Sequence, residues 1–406
     1  MQRREFLQMT GIGIAASTVG VGAGALLTRE GAATQVTTQA ATQPAAAIRT
    51  GPYLQDPGVD GMTVMWMTNV PGYGVVEYGL TEQLGMKATA DVDGLTQANN
   101  VLHKVRLEGL KAGTRYFYRV VFQGTPTFRS HKILFDPAIA SEVKSFVTRD
   151  PAAKSVRFVM YNDLHDNVAQ WKQLHSYVKE EKFDFAFLNG DVTDRMQDEK
   201  QMVDLFLTPC TELFATETPF LYARGNHEVR GGYSREMKRY LGLPGDQYHY
   251  AFSQGPARFV VLDSGEDKDD GHPDYFGLNA FDPYRAMQTK FLEAEIKSEA
   301  WKSARWRIAL FHIPGLYSKD EHTAVQVRTN WHSLLREGKA DLFMAGHTHR
   351  YKVAAADAAA GHTYPVIIGG GPKMGLGTVT TVDVDLEHIR VKMIRDDGVP
   401  VGELVV

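Results

Sequence analysis

Val156-Arg157-Phe158-Val159-Met160-Tyr161, followed at once by Asn162-Asp163-Leu164-His165, decides how the larger part of this chain reads. The first six residues are apolar or aromatic except Arg157, which predicts a buried strand, and metal-ligating residue types arrive where that strand ends. The arrangement repeats downstream. Residues 183–188 run into Gly190-Asp191-Val192-Thr193-Asp194, and residues 219–222 run into Arg224-Gly225-Asn226-His227-Glu228. Residues 307–311 lead into His312-Ile313-Pro314, and residues 342–345 into Gly346-His347-Thr348-His349. Residues 258–262 form one more expected strand, and helical spacing at 168–178, 202–214, 287–296 and 325–335 alternates with the strands. Repeated strand–helix units predict an α/β domain whose ligands gather beyond the strand C-termini.

Each motif alone is weak. Gly-His-x-His is expected about 0.05 times by chance in a chain with this many glycines and histidines, and Asp-x-His is commoner still. Five such motifs, in order and each behind a strand, are what one shared site requires. The other polar clusters say less. Glu266-Asp267-Lys268-Asp269-Asp270-Gly271 breaks the ligand alternation of a calcium loop and reads as a solvated loop, within a longer segment (265–283) able to overhang the site. Gly369-Gly370-Gly371-Pro372, with Gly375 and Gly377, lacks the Lys-Ser/Thr of a phosphate-binding loop and reads as tight turns near the site.

The bulk numbers fit a globular enzyme. The chain has 406 residues, 43% hydrophobic and 23% charged, which excludes disordered, collagenous and multi-spanning classes and predicts two or three domains. A net charge of -4 gives no reason to expect a nucleic-acid polymer as partner. The single cysteine, Cys210, excludes an intramolecular disulfide framework or a multi-thiolate metal site and reads as a packing residue.

Upstream of the α/β region, residues 48–149 alternate in short strands broken by Gly and Pro. Residues 62–68, 74–78, 102–107 and 145–148 are expected strands, with Trp66 facing inward. Tyr116, Tyr118 and Val120 share one face, and the Gly113 turn before Tyr116 matches a tyrosine corner. This segment resembles the fibronectin type III-like module that precedes the catalytic domain of purple acid phosphatases. The chain opens Met1-Gln2-Arg3-Arg4-Glu5-Phe6, followed by an uncharged Gly/Ala-rich run. That start resembles a twin-arginine export signal (1–30) and implies passage through the twin-arginine machinery to the periplasm or beyond. Cleavage at Ala23-Gly24-Ala25 or within 40–47 would free the chain, and an uncleaved signal would leave it membrane-anchored. Residues 31–47 read as a linker.

From about 156 to 394 the set of motifs resembles the calcineurin-like metallophosphoesterases. The resemblance implies a four-layer α/β/β/α domain (156–406) and two divalent or mixed-valence metal ions, with Mn, Fe, Zn and Co all suited to imidazole and carboxylate donors. It implies one ion held by Asp163, His165, Asp191 and His349, and a second held by Asp191, Asn226, His312 and His347. A metal-bound hydroxide would be the nucleophile. His227 would assist the leaving group, oriented by Asp194, and Arg195 would reach the phosphate of a small phosphoester substrate. Arg224 would brace the loop. The chain departs from purple acid phosphatases at His165, where they have Gly, and at Asp194, where they have a Tyr ligand. The tyrosinate that colours those enzymes is therefore missing. The alternative, a non-catalytic exported binding protein on a vestigial phosphoesterase fold, would expect empty ligand positions, and here all seven are filled.

Overall fold

Strand Met62–Gly79 organises the N-terminal region of the computed structural model, which describes residues 44–406. Two strands expected at 62–68 and 74–78 are one strand of 18 residues, because Pro71 does not interrupt the run. Its first half pairs with Ile48–Gln55 and Asn100–Leu107, and its second half with Met86–Ala88 and Arg115–Gly124. The strands consequently join as one seven-stranded sheet rather than as two separate ones. It closes over Trp66, Val76, Val105, Tyr116, Tyr118 and Phe146, all buried. The Lys111 N–H donates to the Tyr116 hydroxyl at 3.0 Å, so the tyrosine corner is formed. The stretch expected to be an export signal (1–30) and residues 31–43 of the expected linker lie outside the described residues. Among the described residues no helix is long and apolar enough to cross a membrane.

Two six-stranded sheets make up the rest. In the first, Phe220–Ala223, Phe185–Asn189 and Val156–Tyr161 are parallel, and the C-terminal strands Thr378–Val384, Ile389–Arg395 and Pro400–Val405 extend it antiparallel. In the second, Ala257–Val261, Trp306–Leu310, Leu342–Ala345 and Val366–Ile368 are parallel, flanked by antiparallel Tyr250–Gln254 and Lys352–Ala354. Phe158, Phe187, Phe259, Ile308 and Val382 share one apolar cluster between the sheets. Helix Val168–Ser176 and the helical stretch from Glu199 to Ala215 cover the first sheet's other face. Helices Phe281–Glu295 and His322–Glu337 cover that of the second. The result is the expected α/β/β/α layering.

The N-terminal sheet is seated on the helical cover. Tyr53, Met65 and Met67 belong to the same apolar cluster as Phe206, Cys210 and Tyr240. Tyr53 and Tyr118 donate their hydroxyls to the Tyr240 and Thr216 carbonyls at 3.0 and 2.7 Å. This contact fixes one region against the other, and Arg49 adds ion pairs across it to Glu199 at 3.5 Å and Asp204 at 3.8 Å.

Candidate metal centre

Parallel strands place all five motifs on one edge. Asp163 and His165 follow Val156–Tyr161, and Asp191 and Asp194 follow Phe185–Asn189. Asn226 and His227 follow Phe220–Ala223, His312 follows Trp306–Leu310, and His347 and His349 follow Leu342–Ala345. The chain must turn sharply there to aim side chains back over the sheet ends. Asp163, His165, Asp191, His347 and His349 take φ of 49°, 44°, 50°, 71° and 56°, a left-handed backbone that β-carbon residues seldom adopt. Such conformations persist only where the surroundings impose them, and they concentrate at functional sites. The turns are packed too closely for ordinary side chains: a β-carbon at Gly225 would collide with the Asp191 carboxylate, and one at Gly346 with that of Asp163.

The donors converge. His165 Nε2 lies 3.0 Å from His349 Nε2 and 3.5 Å from Asp191 Oδ2. His349 Nε2 lies 3.4 Å from Asp163 Oδ1. His312 Nε2 lies 3.1 Å from Asp191 Oδ2 and 3.9 Å from Asp163 Oδ1. His347 Nδ1 and Asn226 Oδ1 are 3.0 Å apart. Asp191 Oδ2 is common to both groups. Ligands about 2.1 Å from one ion stand about 3.0–3.4 Å from each other, so these spacings suit coordination. Asp163 Oδ1 and His312 Nε2 are buried and lack a hydrogen-bond partner among the described residues, an expensive state unless a ligand completes them. The residues present therefore fit a pair of metal ions.

Charges within the group are mutually dependent. Burial alone would raise the carboxyls of Asp163 and Asp191, but the surrounding imidazoles, His312 foremost, hold both well below the usual range. The same attraction overcomes the burial of His312 and His165, pushing them up to about 10 and about 9. A metal ion would take over the protons' role as counter-charge.

His227 stands beside the ligands, its Nε2 4.0 Å from Asp191 Oδ2. Its Nδ1 meets the Asp194 carbonyl at 2.7 Å and the Asp194 carboxylate at 3.2 Å. The same Asp194 carboxylate oxygen lies 3.3 Å from His165 Nδ1, so it joins both rings. Arg195 pairs with Asp194 at 3.2 Å and is exposed, and it is not among the residues lining the cavity over the ligands. Arg224 braces the loop through Asp263, with Nη2 to Oδ2 at 2.6 Å.

Several participants carried no motif-level signal. Glu228 ends the Gly225-Asn226-His227-Glu228 motif, and its residue type alone assigns it no role. It is fully buried and accepts backbone N–H bonds from Asp191, Val192, Thr193 and Gly225 at 2.9, 2.6, 3.1 and 2.9 Å, tying two ligand loops together. Glu321 Oε2 lies 3.1 Å from His347 Nε2, the usual way a carboxylate orients a ligating imidazole. The acidic run beginning at Glu266 is not simply solvated. Glu266 is buried and receives Arg230 at 2.6 and 2.7 Å, while Arg230 Nη1 sits 3.2 Å from His227 Nε2. Asp267 lines the cavity, as expected of a segment overhanging the site.

Comparisons with known proteins agree with this geometry. The calcineurin-like phosphoesterase family pattern matches residues 156–351, and that of the purple acid phosphatase N-terminal domain matches residues 53–148. Acid phosphatase type 7 of Mus musculus is 28% identical over 330 residues, 77% of this chain and 68% of that protein. Purple acid phosphatase 22 of Arabidopsis thaliana is 24% identical over 317 residues, 73% of this chain and 64% of that protein. The chain thus spans about two thirds of the length of these relatives. Among solved structures, a purple acid phosphatase from yellow lupin (Lupinus luteus) seeds superposes with a TM-score of 0.63 at 18% identity, over 87% of this chain and 73% of that one. The structure of PhoD superposes with a TM-score of 0.59 at 12% identity, over 87% and 88%. Both share the fold. A purple acid phosphatase N-terminal domain followed by a calcineurin-like phosphoesterase domain makes this chain a metal-dependent phosphoester hydrolase.

Proposed function

We propose that the protein is an exported hydrolase of small phosphoesters, mono- or diesters, working with two metal ions. The observation that carries this reading is the convergence of seven donors from five strand ends around one shared carboxylate, Asp191. Asp163, His165, Asp191 and His349 would hold one ion, and Asp191, Asn226, His312 and His347 the other. When bound, such a pair supplies Lewis acidity, a water of lowered pKa and a clamp for phosphoryl oxygens.

The chain's own residues supply the rest. Asp191 and Asp163 carry fixed negative charge, held by the backbone N–H groups of His227 at 2.9 Å and His347 at 2.8 Å. His227 is the group placed to exchange a proton with a leaving oxygen at Nε2, once Arg230 Nη1, which donates to that nitrogen at 3.2 Å, gives way. Burial lowers its pKa despite the attraction of Asp191, so the ring is a weak base in the resting site. Asp194, at Nδ1, fixes the ring's orientation. Arg230 holds Nε2 from the other side and is itself held by Glu266. The Arg3-Arg4 start supports export by the twin-arginine route and a periplasmic or extracellular place of action. The test is hydrolysis of p-nitrophenyl phosphate and bis-p-nitrophenyl phosphate after reconstitution with Mn, Fe, Zn or Co. Turnover lost on chelation and restored by metal supports the reading. Absence of turnover on both esters with every metal refutes it.

A further inference from the structure

We propose that the cavity over the metal centre selects phosphoesters carrying a second phosphate, which Lys319, Arg350 and Lys373 receive; this rests on the phosphoesterase reading above. The cavity measures about 580 Å³, within the range of sites for whole small molecules and far more than one phosphoryl group needs. Among the described residues no aliphatic side chain lines it, and Tyr317 is its one aromatic ring besides the histidines, so most of its wall is polar.

Its charges are unbalanced. Outside the ligands and His227, five charged side chains line it: Asp267, Glu321, Lys319, Arg350 and Lys373. Both carboxylates are already engaged. Asp267 meets Arg230 at 3.3 Å and Lys268 at 3.1 Å, and Glu321 meets His347 at 3.1 Å. None of the three cations has an ion-pair partner among the described residues, although the chain as a whole is acidic at -4. Three uncompensated cations facing one polar cavity repel each other and attract an anion beyond the one the metals bind.

They come from three separate loops, each tied to the site. Arg350 follows the ligand His349 directly. Lys373 sits on the glycine-rich turn, where Gly371 is packed against His349 so closely that a β-carbon would clash, and the Pro372 carbonyl accepts from Asn167 Nδ2 at 3.3 Å. Lys319 precedes Glu321, the partner of His347, by two residues. The backbones that carry the cations are therefore fixed relative to the metals while the side chains remain free to close on a substrate. An exposed cation contributes a factor of a few to anion affinity, so three together predict about a tenfold preference.

The test compares glucose 1,6-bisphosphate with glucose 6-phosphate on the metal-loaded full chain and on Lys319→Ala/Arg350→Ala/Lys373→Ala. The wild type is expected to favour the bisphosphate by about tenfold in kcat/KM at low salt, less at high salt, and the triple variant to lose that ratio. Calorimetric Kd values for the same two sugars read the preference without turnover. Equal affinity in the wild type, or a preference that survives in the triple variant, overturns the proposal. An intact, variant-sensitive affinity gap with no hydrolysis of either sugar would support the proposal and count only against the phosphoesterase reading.

Discussion

Two buried histidines, His103 in the N-terminal sheet and His312 at the metal centre, meet opposite fates. His103 is 6% exposed and stacks on Trp66 at 4.8 Å, and among the described residues no carboxylate pairs with it. Burial therefore pushes its pKa down to about 4, and the ring is neutral. His312 is fully buried, yet Asp191 and Asp163 push it up to about 10. The first is a packing residue. The second is one of several ionisable groups forced together, five of them in left-handed backbone, a state that gains its justification from a ligand. Burial does not mark a functional histidine; the company it keeps does.

The contrast can be broken first at Asp191, the carboxylate common to both halves of the centre. Asp191→Ala is expected to lower kcat/KM by about 10³-fold or more and to reduce metal content, read by kinetics with elemental analysis. A variant that keeps both metals and its activity would remove the centre's keystone. His227→Ala is expected to cost about 10²–10⁴-fold in kcat with metal content unchanged, since it assists rather than ligates. Loss of metal in that variant would move His227 into the ligand set.

The N-terminal histidine gives an effect on stability instead. Its folded pKa lies near 4 against about 6.5 when unfolded, so the folded state resists the proton. The stabilising contribution is complete above pH 6.5 and is lost as pH falls towards 4, by up to about 3 kcal/mol. Urea midpoints at pH 7 and 4.5 should fall less in His103→Phe, which keeps an aromatic ring beside Trp66, than in the wild type. The same acid slope in both proteins would contradict the assignment. Smallest is the expected effect of Glu321→Gln: a weaker grip on the His347 ring and about 10–100-fold lower metal affinity, with kcat restored at saturating metal. Unchanged affinity would reduce Glu321 to a surface carboxylate.

Much of this was legible before any coordinates. Strand Val156–Tyr161 and strand Leu342–Ala345 coincide with their hydrophobic runs, and the seven donors stand behind strands as their motifs predict. Such features are local, because a strand and the turn after it are written in consecutive residues. What escaped was long-range. The hydrophobic runs at 62–68 and 74–78 gave no sign that one strand spans both, since a bend within a sheet depends on its neighbours. The C-terminal strands of the first sheet, such as Thr378–Val384, have no motif to announce them. Glu228 acts through backbone amides, Glu321 through His347 and Arg230 through Glu266, and no spacing rule connects Glu321 to His347 or Arg230 to Glu266. Arg195 is the reverse case, a motif position whose side chain turns to Asp194 at the exposed edge.

The central claim is that the seven donors hold two metal ions that make the site work. Elemental analysis of purified full-length protein after incubation with Mn, Fe, Zn or Co, paired with p-nitrophenyl phosphate turnover, tests it most directly. The account predicts about two ions per chain, about one or fewer in Asp191→Ala, and activity that tracks occupancy. Wild-type protein that binds no metal under any of these conditions, or that hydrolyses the ester equally well without it, would contradict the account.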